Sequence, residues 1–297
     1  MKKRITTFLF VLIFLVGFSI LVYPFVTSII SSFGQSAVVS DYNNKVDDTT
    51  KEVLDQMLEQ AQKYNNSIFG KVILTDPFDA SSAQNQSEEF DYDQLLSLDS
   101  NGTMGYITIP AIDVNLPIYH GTAEKTLESG VGHLVNTSLP VGGESTHCVL
   151  AGHTGLPNAT LFTNLDDLKE GDTFYIHILG KVNEYKIDRI KVVEPSDTSD
   201  LGIVRGKDYI TLVTCTPYGI NSHRLLVRGE RTSYNSDDDH YSETIEGKND
   251  GFYFCGIFIR YIMFGIVLGA ILLIIVGMVV FSVVKKRKKK SEIHKEE

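Results

Sequence analysis

Two apolar segments with basic flanks lie near the two ends of this chain and restrict how the rest of it can fold. The first covers residues 5–22, directly behind Met-Lys-Lys-Arg, and the second covers residues 256–284, directly before the basic run 285–290. About 20 apolar residues are enough to cross a bilayer. The second segment therefore predicts a transmembrane helix. The first predicts an uncleaved anchor or signal-anchor within residues 1–25, with a cleaved signal peptide as the alternative.

The distribution of charge predicts how the chain lies across the membrane. Cytoplasmic flanks of membrane segments are rich in Lys and Arg, so both termini are expected in the cytoplasm, with the basic tail 285–297. Residues 26–255 carry 16 basic and 34 acidic side chains and are expected outside the cell, with 233–255 as a charged linker. An acidic body excludes nucleic acid as a partner, because nucleic-acid binding needs a basic surface.

Short runs of alternating apolar and polar residues fill most of the segment 101–232. Alternation with period two is typical of half-buried strands. The predicted strands cover residues 105–109, 114–119, 147–152, 173–178, 183–193, 209–214 and 225–228. Seven or eight short strands with turns between them predict a closed or nearly closed β-barrel. Ahead of this body, the apolar spacing in residues 37–66 predicts a helix that leads from the membrane to the barrel.

A hairpin near the end of the body carries a cysteine and an arginine. The strand 209–214 ends at Cys215, because Pro217 removes a ladder donor and Gly219 opens a turn. Arg224 begins the next apolar run. A fixed cation beside a thiol favours the thiolate, which is the nucleophilic form. A small buried cysteine and a surface arginine remain the alternative at this point.

The histidines supply candidates for an acid–base partner. His153 follows the predicted strand 147–152, in Ala-Gly-His-Thr-Gly, and so comes at a strand end as Cys215 does. Loops at one rim of a rigid barrel are where catalytic groups collect. We therefore rank His153 first and His120, which flanks a glycine turn, second.

A Pro-stiffened segment ahead of the barrel could cover such a site. In Thr-Asp-Pro-Phe-Asp, Asp76 could supply an anion for an active-site arginine, and Phe78 could cover a thiol. An ordinary surface loop is the alternative.

These residues carry a family resemblance. Thr-Leu-Val-Thr-Cys215 with Arg224 on the following strand, and Ala-Gly-His153, resemble the signature segments of sortases. The finer motifs resemble those of class C, pilin-assembling sortases. They are Leu-Pro-Ile-Tyr-His120-Gly-Thr, Ser-Leu-Pro-Val-Gly-Gly at 138–143, Asp76-Pro-Phe78, the segment 214–224 and the C-terminal apolar span.

The resemblance implies a mainly β sortase barrel over residues 101–232, behind an extracellular helix and lid region over 26–100. It implies a cofactor-free and metal-free cysteine transpeptidase acting on an LPxTG-like signal of secreted pilin subunits. Cys215 would be the nucleophile, His153 the acid–base and Arg224 the carbonyl or oxyanion ligand. Asp76 and Phe78 would form a lid, and substrate contacts are expected from Thr214 and His120.

Two other functions stay open from the sequence. A related enzyme could pass the acyl group to a cell-wall peptide amine or to water, giving wall anchoring or proteolysis. A non-catalytic surface adhesin or scaffold with a barrel body is the third possibility, and it gives no role to the joint presence of Cys215, His153 and Arg224.

Overall fold

The computed structural model describes residues 2–70, 75–79, 90–98 and 102–232, together with Gly269. The charged linker 233–255, the second span 256–284 (Gly269 apart) and the tail 285–297 that the sequence predicts lie outside the described residues. Within them, the α-helices are α1 (Lys2–Asp48), α2 (Lys51–Ile68) and α3 (Glu124–Ser129). The strands are β1 (Thr103–Ile109), β2 (Val114–His120), β3 (Val131–His133), β4 (Thr146–Ala151), β5 (Thr173–Ile178), β6 (Lys181–Val193), β7 (Asp208–Thr216) and β8 (His223–Arg231).

The eight strands form one closed barrel in the order β1-β2-β3-β4-β7-β8-β6-β5. The β2–β3 and β4–β7 pairs are parallel, and the other six pairs are antiparallel. The predicted closed, mainly β barrel is therefore confirmed. The three-residue strand β3 is the one that the sequence did not indicate, because three residues are too few to show an alternation.

The two faces of the sheet at β4, β7 and β8 bury different apolar clusters. Leu150 and Leu212 point into the main core, which fills the barrel, whereas Val149 and Val213 belong to a second cluster on the outer face. Leu226 adds to that outer apolar patch from β8, and Leu134, Val193 and Leu201 also belong to it. Because side chains alternate along a strand, residues two positions further along lie on the same outer face. Cys215 lies two residues after Val213 on that face.

The N-terminal helix differs from the sequence expectation. A separate anchor and a single helix over 37–66 were predicted, whereas α1 is continuous through Pro24 and ends at Asp48, and α2 begins after a break at Thr49–Thr50. Next to Pro24, the hydroxyl of Thr27 donates to the carbonyl of Tyr23 at 3.1 Å. In the described residues, α1 is the one helix long and apolar enough to cross a membrane.

The last turns of α1 are attached to the barrel. Val39, Tyr42 and Val46 are buried. The Tyr42 hydroxyl donates to the carbonyl of Met104 at 3.0 Å and accepts from the backbone N–H of Leu179 at 2.9 Å. The apolar helix therefore runs without interruption into a segment that packs on β1 and β2.

Candidate active site

Cys215 and Arg224 lie directly opposite each other in the antiparallel pair of β7 and β8. Opposite residues on one face have Cβ atoms about 5 Å apart. Both residues continue the face that carries the outer apolar patch, and both are partly buried. The side chain of Arg224 is 12% exposed. The hairpin thus brings a thiol and a fixed cation together, as the sequence predicted for these two positions.

His153 reaches the same end of the sheet from the neighbouring strand. Ala151 pairs with Val213 in the parallel ladder of β4 and β7. His153 and Cys215, each two positions further along, therefore lie at the same level. The turn that carries the imidazole is anchored, because the backbone N–H of Gly152 donates to the carbonyl of Val213 at 3.0 Å. The carbonyl of His153 accepts from the N–H of Phe162 at 3.1 Å.

Thr214 belongs to this anchoring rather than to an open surface. Its side chain is buried, and its hydroxyl donates to the carbonyl of Gly152 at 2.7 Å. Gly152 has no room for a side chain, since a Cβ would lie 2.7 Å from the ring of Phe162. The predicted contact of Thr214 with substrate therefore remains a prediction, while its contact with the His153 turn is present in the structure.

Asp76 holds the guanidinium of Arg224 with both carboxylate oxygens. Nε donates to Oδ1 at 2.9 Å, and Nη2 donates to Oδ2 at 2.6 Å. The third nitrogen, Nη1, donates to the carbonyls of Asn221 and His223 at 3.2 and 3.1 Å. All three nitrogens of Arg224 are thus engaged within the chain.

The ring of Phe78 lies over the side chains of Arg224 and His153. Its ring centroid is 5.0 Å from Cζ of Arg224 and 5.8 Å from the ring of His153. The ring also packs on the outer apolar patch. The turn is closed by the N–H of Asp79, which donates to the carbonyl of Asp76 at 3.0 Å. One short turn therefore covers the guanidinium with an anion and the imidazole with an aromatic ring.

This arrangement disfavours the thiolate of Cys215. Burial raises the pKa of Cys215 above its ordinary value, Arg224 lowers this pKa, and the carboxylate of Asp76 raises it. The cation that would favour the thiolate is largely neutralised by Asp76. Removing Asp76 from the site would leave burial as the one remaining cause in this set that raises the pKa of Cys215, against the lowering by Arg224.

Glu124 is a neighbour of His153 that the sequence did not indicate. Its Oε1 lies 3.3 Å from Nε2 of His153. The direction between the two atoms does not suit a hydrogen bond, and Nε2 of His153 is buried without a hydrogen-bond partner among the described residues. Glu124 precedes His153 by 29 positions and belongs to a different element, so no spacing in the sequence connects them.

His120 is placed differently from Cys215, His153 and Arg224. Its Nδ1 lies 2.9 Å from the carbonyl of Gly102, and its Nε2 lies 2.7 Å from the carbonyl of Leu95. Its ring also contacts the edge of Tyr92. These contacts connect the end of β2 to the segments before β1. The predicted role of His120 in binding substrate remains a prediction.

The other described cysteine differs in character from Cys215. Cys148 is buried in the barrel core, and burial raises its pKa well above the ordinary range. Such a thiol is inert as a nucleophile. Within the described segments, no group of three His, Cys, Asp or Glu side chains is arranged to hold a metal ion.

A partly buried cysteine beside an arginine, with a histidine just after the adjacent strand, is an arrangement suited to thiol-dependent acyl transfer, and it lies on a closed barrel. The Sortase domain model matches residues 107–232, which include all three side chains. Sortase C1 of Streptococcus agalactiae is 45% identical, with a TM-score of 0.61, over 68% of this chain and 97% of that chain. A Streptococcus pneumoniae sortase C, described for its pilin substrate specificity, is 44% identical, with a TM-score of 0.60, over 67% and 97%.

A curated relative extends the match towards the N-terminus. Sortase D of Bacillus subtilis is 26% identical over 208 residues, which is 69% of this chain and 93% of the relative. The chain therefore belongs to the sortase family of cysteine transpeptidases. The two solved structures named above are sortases of class C, in agreement with the resemblance carried by the motifs of this chain.

Proposed function

We propose that this chain is a membrane-anchored transpeptidase that cleaves an LPxTG-like sorting signal between Thr and Gly and joins the acyl group to a Lys amine of another pilin subunit. The observation that carries the proposal is the cross-strand pair of Cys215 and Arg224, with Asp76 bound to the guanidinium. The pilin substrate is supported by the likeness to the Streptococcus pneumoniae enzyme.

In the first half-reaction, the thiolate of Cys215 attacks the carbonyl carbon of the Thr–Gly bond. The carbonyl electron pair moves to oxygen, where Arg224 binds the oxyanion. His153, as the imidazolium, gives its proton to the Gly nitrogen as the C–N bond breaks. A thioester on Cys215 and a free amine result. Loss of one oxyanion ligand typically costs roughly a hundredfold to a thousandfold in kcat.

The lid turn at Asp76–Asp79 has to leave before this reaction can start. Four of the five N–H groups of Arg224 donate within the chain, two of them to Asp76, and Phe78 covers the ring of His153. The free enzyme should therefore form a thioester slowly. A substrate that displaces Asp76 and Phe78 would gain the same guanidinium and the same apolar patch.

The membrane location follows from the ends of the chain. The long apolar helix α1 begins with the basic residues 2–4, and the positive-inside rule then assigns the N-terminus to the cytoplasm. The barrel would lie outside the cell, and the proposed second span 256–284 would return the C-terminus to the cytoplasm. Two anchors would keep the site close to substrates tethered in the same membrane.

Mass spectrometry of the full-length chain in detergent micelles tests the reaction. After incubation with an LPxTG-type peptide, we expect an acyl adduct on Cys215 that is absent from Cys215→Ala. Adding a pilin-derived Lys peptide should release an isopeptide product. No adduct would contradict the transpeptidase function for this peptide class. An adduct that reacts with a wall-peptide amine, but not with the Lys peptide, would instead support cell-wall anchoring.

A further inference from the structure

Beside the imidazole of His153 lies a carboxylate that water can reach. Glu124 is the first residue of α3, and its side chain is 74% exposed, whereas the side chain of His153 is 16% exposed. Oε1 of Glu124 is 3.3 Å from Nε2 of His153, and that nitrogen has no hydrogen-bond partner among the described residues. The pair therefore joins a solvent-facing anion to a shielded acid–base group.

The fold does not require this contact. The backbone of α3 is held by its own bonds, since the N–H groups of Thr126 and Leu127 both donate to the carbonyl of Ala123. Leu127 is buried and attaches the helix to the barrel. An exposed carboxylate paired with a histidine adds little to stability. An acidic residue is favourable in the first turn of a helix, but this does not account for the contact of its carboxylate with His153.

The second half-reaction needs an anion at this place. A Lys side chain reaches the thioester as an ammonium, because its pKa is about 10.4. An ammonium has no lone pair and cannot attack a carbonyl. It has to be bound near the thioester and lose a proton to His153, which is neutral after protonating the first leaving amine.

We infer that Glu124 binds the ammonium of the incoming acceptor and directs one of its N–H groups to Nε2 of His153. This inference rests on the proposed function. The ammonium gives one proton to the imidazole, and the resulting amine forms a C–N bond with the thioester carbon. As the C–S bond breaks, a second N–H proton passes to the sulfur of Cys215. The products are an amide, a thiol and an imidazolium, so protons and charge balance.

The consequence is a preference for cationic acceptors. A Lys side chain is positively charged at pH 7.5, whereas hydroxylamine is a weakly basic nucleophile that is largely uncharged there. Glu124 should assist attack by the Lys side chain and have little effect on attack by hydroxylamine. A charge-assisted hydrogen bond of the usual strength corresponds to roughly a tenfold effect.

The test measures how the acyl-enzyme divides between the added acceptor and water. This ratio does not depend on how fast the thioester forms, so the lid does not disturb it. The full-length chain in micelles is acylated with an LPxTG-type peptide and offered either a Lys peptide or hydroxylamine. We expect Glu124→Gln to lower the ratio for the Lys peptide roughly tenfold more than the ratio for hydroxylamine. Glu124→Asp should retain part of the preference.

Glu128→Gln is the matched control, because it removes the same charge about 6 Å further along α3. It should leave both ratios as they are in the native chain. An equal fall for both acceptors in Glu124→Gln would show that Glu124 only positions His153, and would overturn the inference. Unchanged ratios would overturn it as well, while leaving the transpeptidase intact. No acyl-enzyme in the native chain would overturn both.

Discussion

Asp76 and Arg224 are 148 positions apart in the chain, yet they form a two-point ion pair with N–O distances of 2.9 and 2.6 Å. The pair joins a short turn ahead of the barrel to the strand opposite Cys215. Both side chains are largely buried, at 14% and 12% exposure. The position of the turn that carries Asp76 therefore affects the electrostatic environment of the Cys215 thiol.

Breaking this pair should activate the thiol. We expect Asp76→Ala to increase the alkylation rate of Cys215 at pH 7 by roughly tenfold or more, given the usual strength of hydrogen bonds between charged groups. The reason is that Asp76 raises the pKa of Cys215 and Arg224 lowers it. The rate is measured by mass spectrometry with iodoacetamide. Asp79→Ala, which removes a charge from the same turn, is the control, and an equal increase there would contradict the role of the pair.

Removing the cation should have the opposite effect on the thiol. In Arg224→Gln, we expect the pKa of Cys215 to rise further, since Arg224 is the group that lowers it. The alkylation profile of Cys215 should then shift to higher pH, with less reaction at each pH below the plateau. Arg224→Lys keeps the charge and should shift the profile less. A profile that is the same in all three proteins would rule out an effect of Arg224 on the thiol.

Thr214 offers a test of positioning against substrate binding. Thr214→Val removes the bond to the carbonyl of Gly152 and leaves that buried oxygen without its donor. The loss should lower the free energy of unfolding by about 1–3 kcal/mol. It should lower kcat for acylation more than it raises KM, because the turn that carries His153 loses its anchor. Thr214→Ser restores the hydroxyl and should recover both quantities. A change in KM alone would instead favour direct substrate contact.

The stability of the barrel should fall in mild acid. Burial lowers the pKa of His133 to about 4, from an ordinary value near 6.5. Below pH 6.5 the unfolded chain binds a proton that the folded chain does not, so stability is lost as the pH falls from about 6.5 towards 4. A single such group contributes roughly 3 kcal/mol across that range.

Urea unfolding at pH 7.0, 5.5 and 4.5 measures this effect as a difference between the native chain and His133→Gln. Burial raises the pKa of Asp208, which acts in the opposite direction, and this contribution cancels in the difference. The variant should be less stable at pH 7 but show a weaker dependence on pH. Parallel curves for the two proteins would contradict a neutral buried His133.

Much of this architecture could be read from the sequence, because its determinants are local. The alternation that predicts β7 also assigns Cys215 to the face of Val213, and the turn residues Pro217 and Gly219 return the chain so that Arg224 lies opposite. Asp76 was identified by its chemistry, as an anion beside a stiff turn. The break at Thr49–Thr50 was missed because the apolar spacing continues across it.

The position of Glu124 could not be predicted from the sequence. Its contact with His153 depends on how α3 follows β2 and on the parallel pairing of β3 beside it. β3 has only three residues, and no pattern in the sequence announces it. The contacts of His120 with the carbonyls of Gly102 and Leu95 were likewise not indicated by the sequence, and its predicted role in binding substrate stays a prediction.

Closure of the barrel limits how a peptide substrate can be bound. Many proteins bind extended peptides by adding them as a strand to an open sheet edge. Here each described strand has a neighbour on both sides for at least part of its length, so no strand offers a whole open edge. We therefore expect a sorting peptide to be recognised mainly through its side chains and by loop groups. Ester or N-methyl replacements in its backbone, away from the scissile bond, should then matter far less than changing its Leu or Pro.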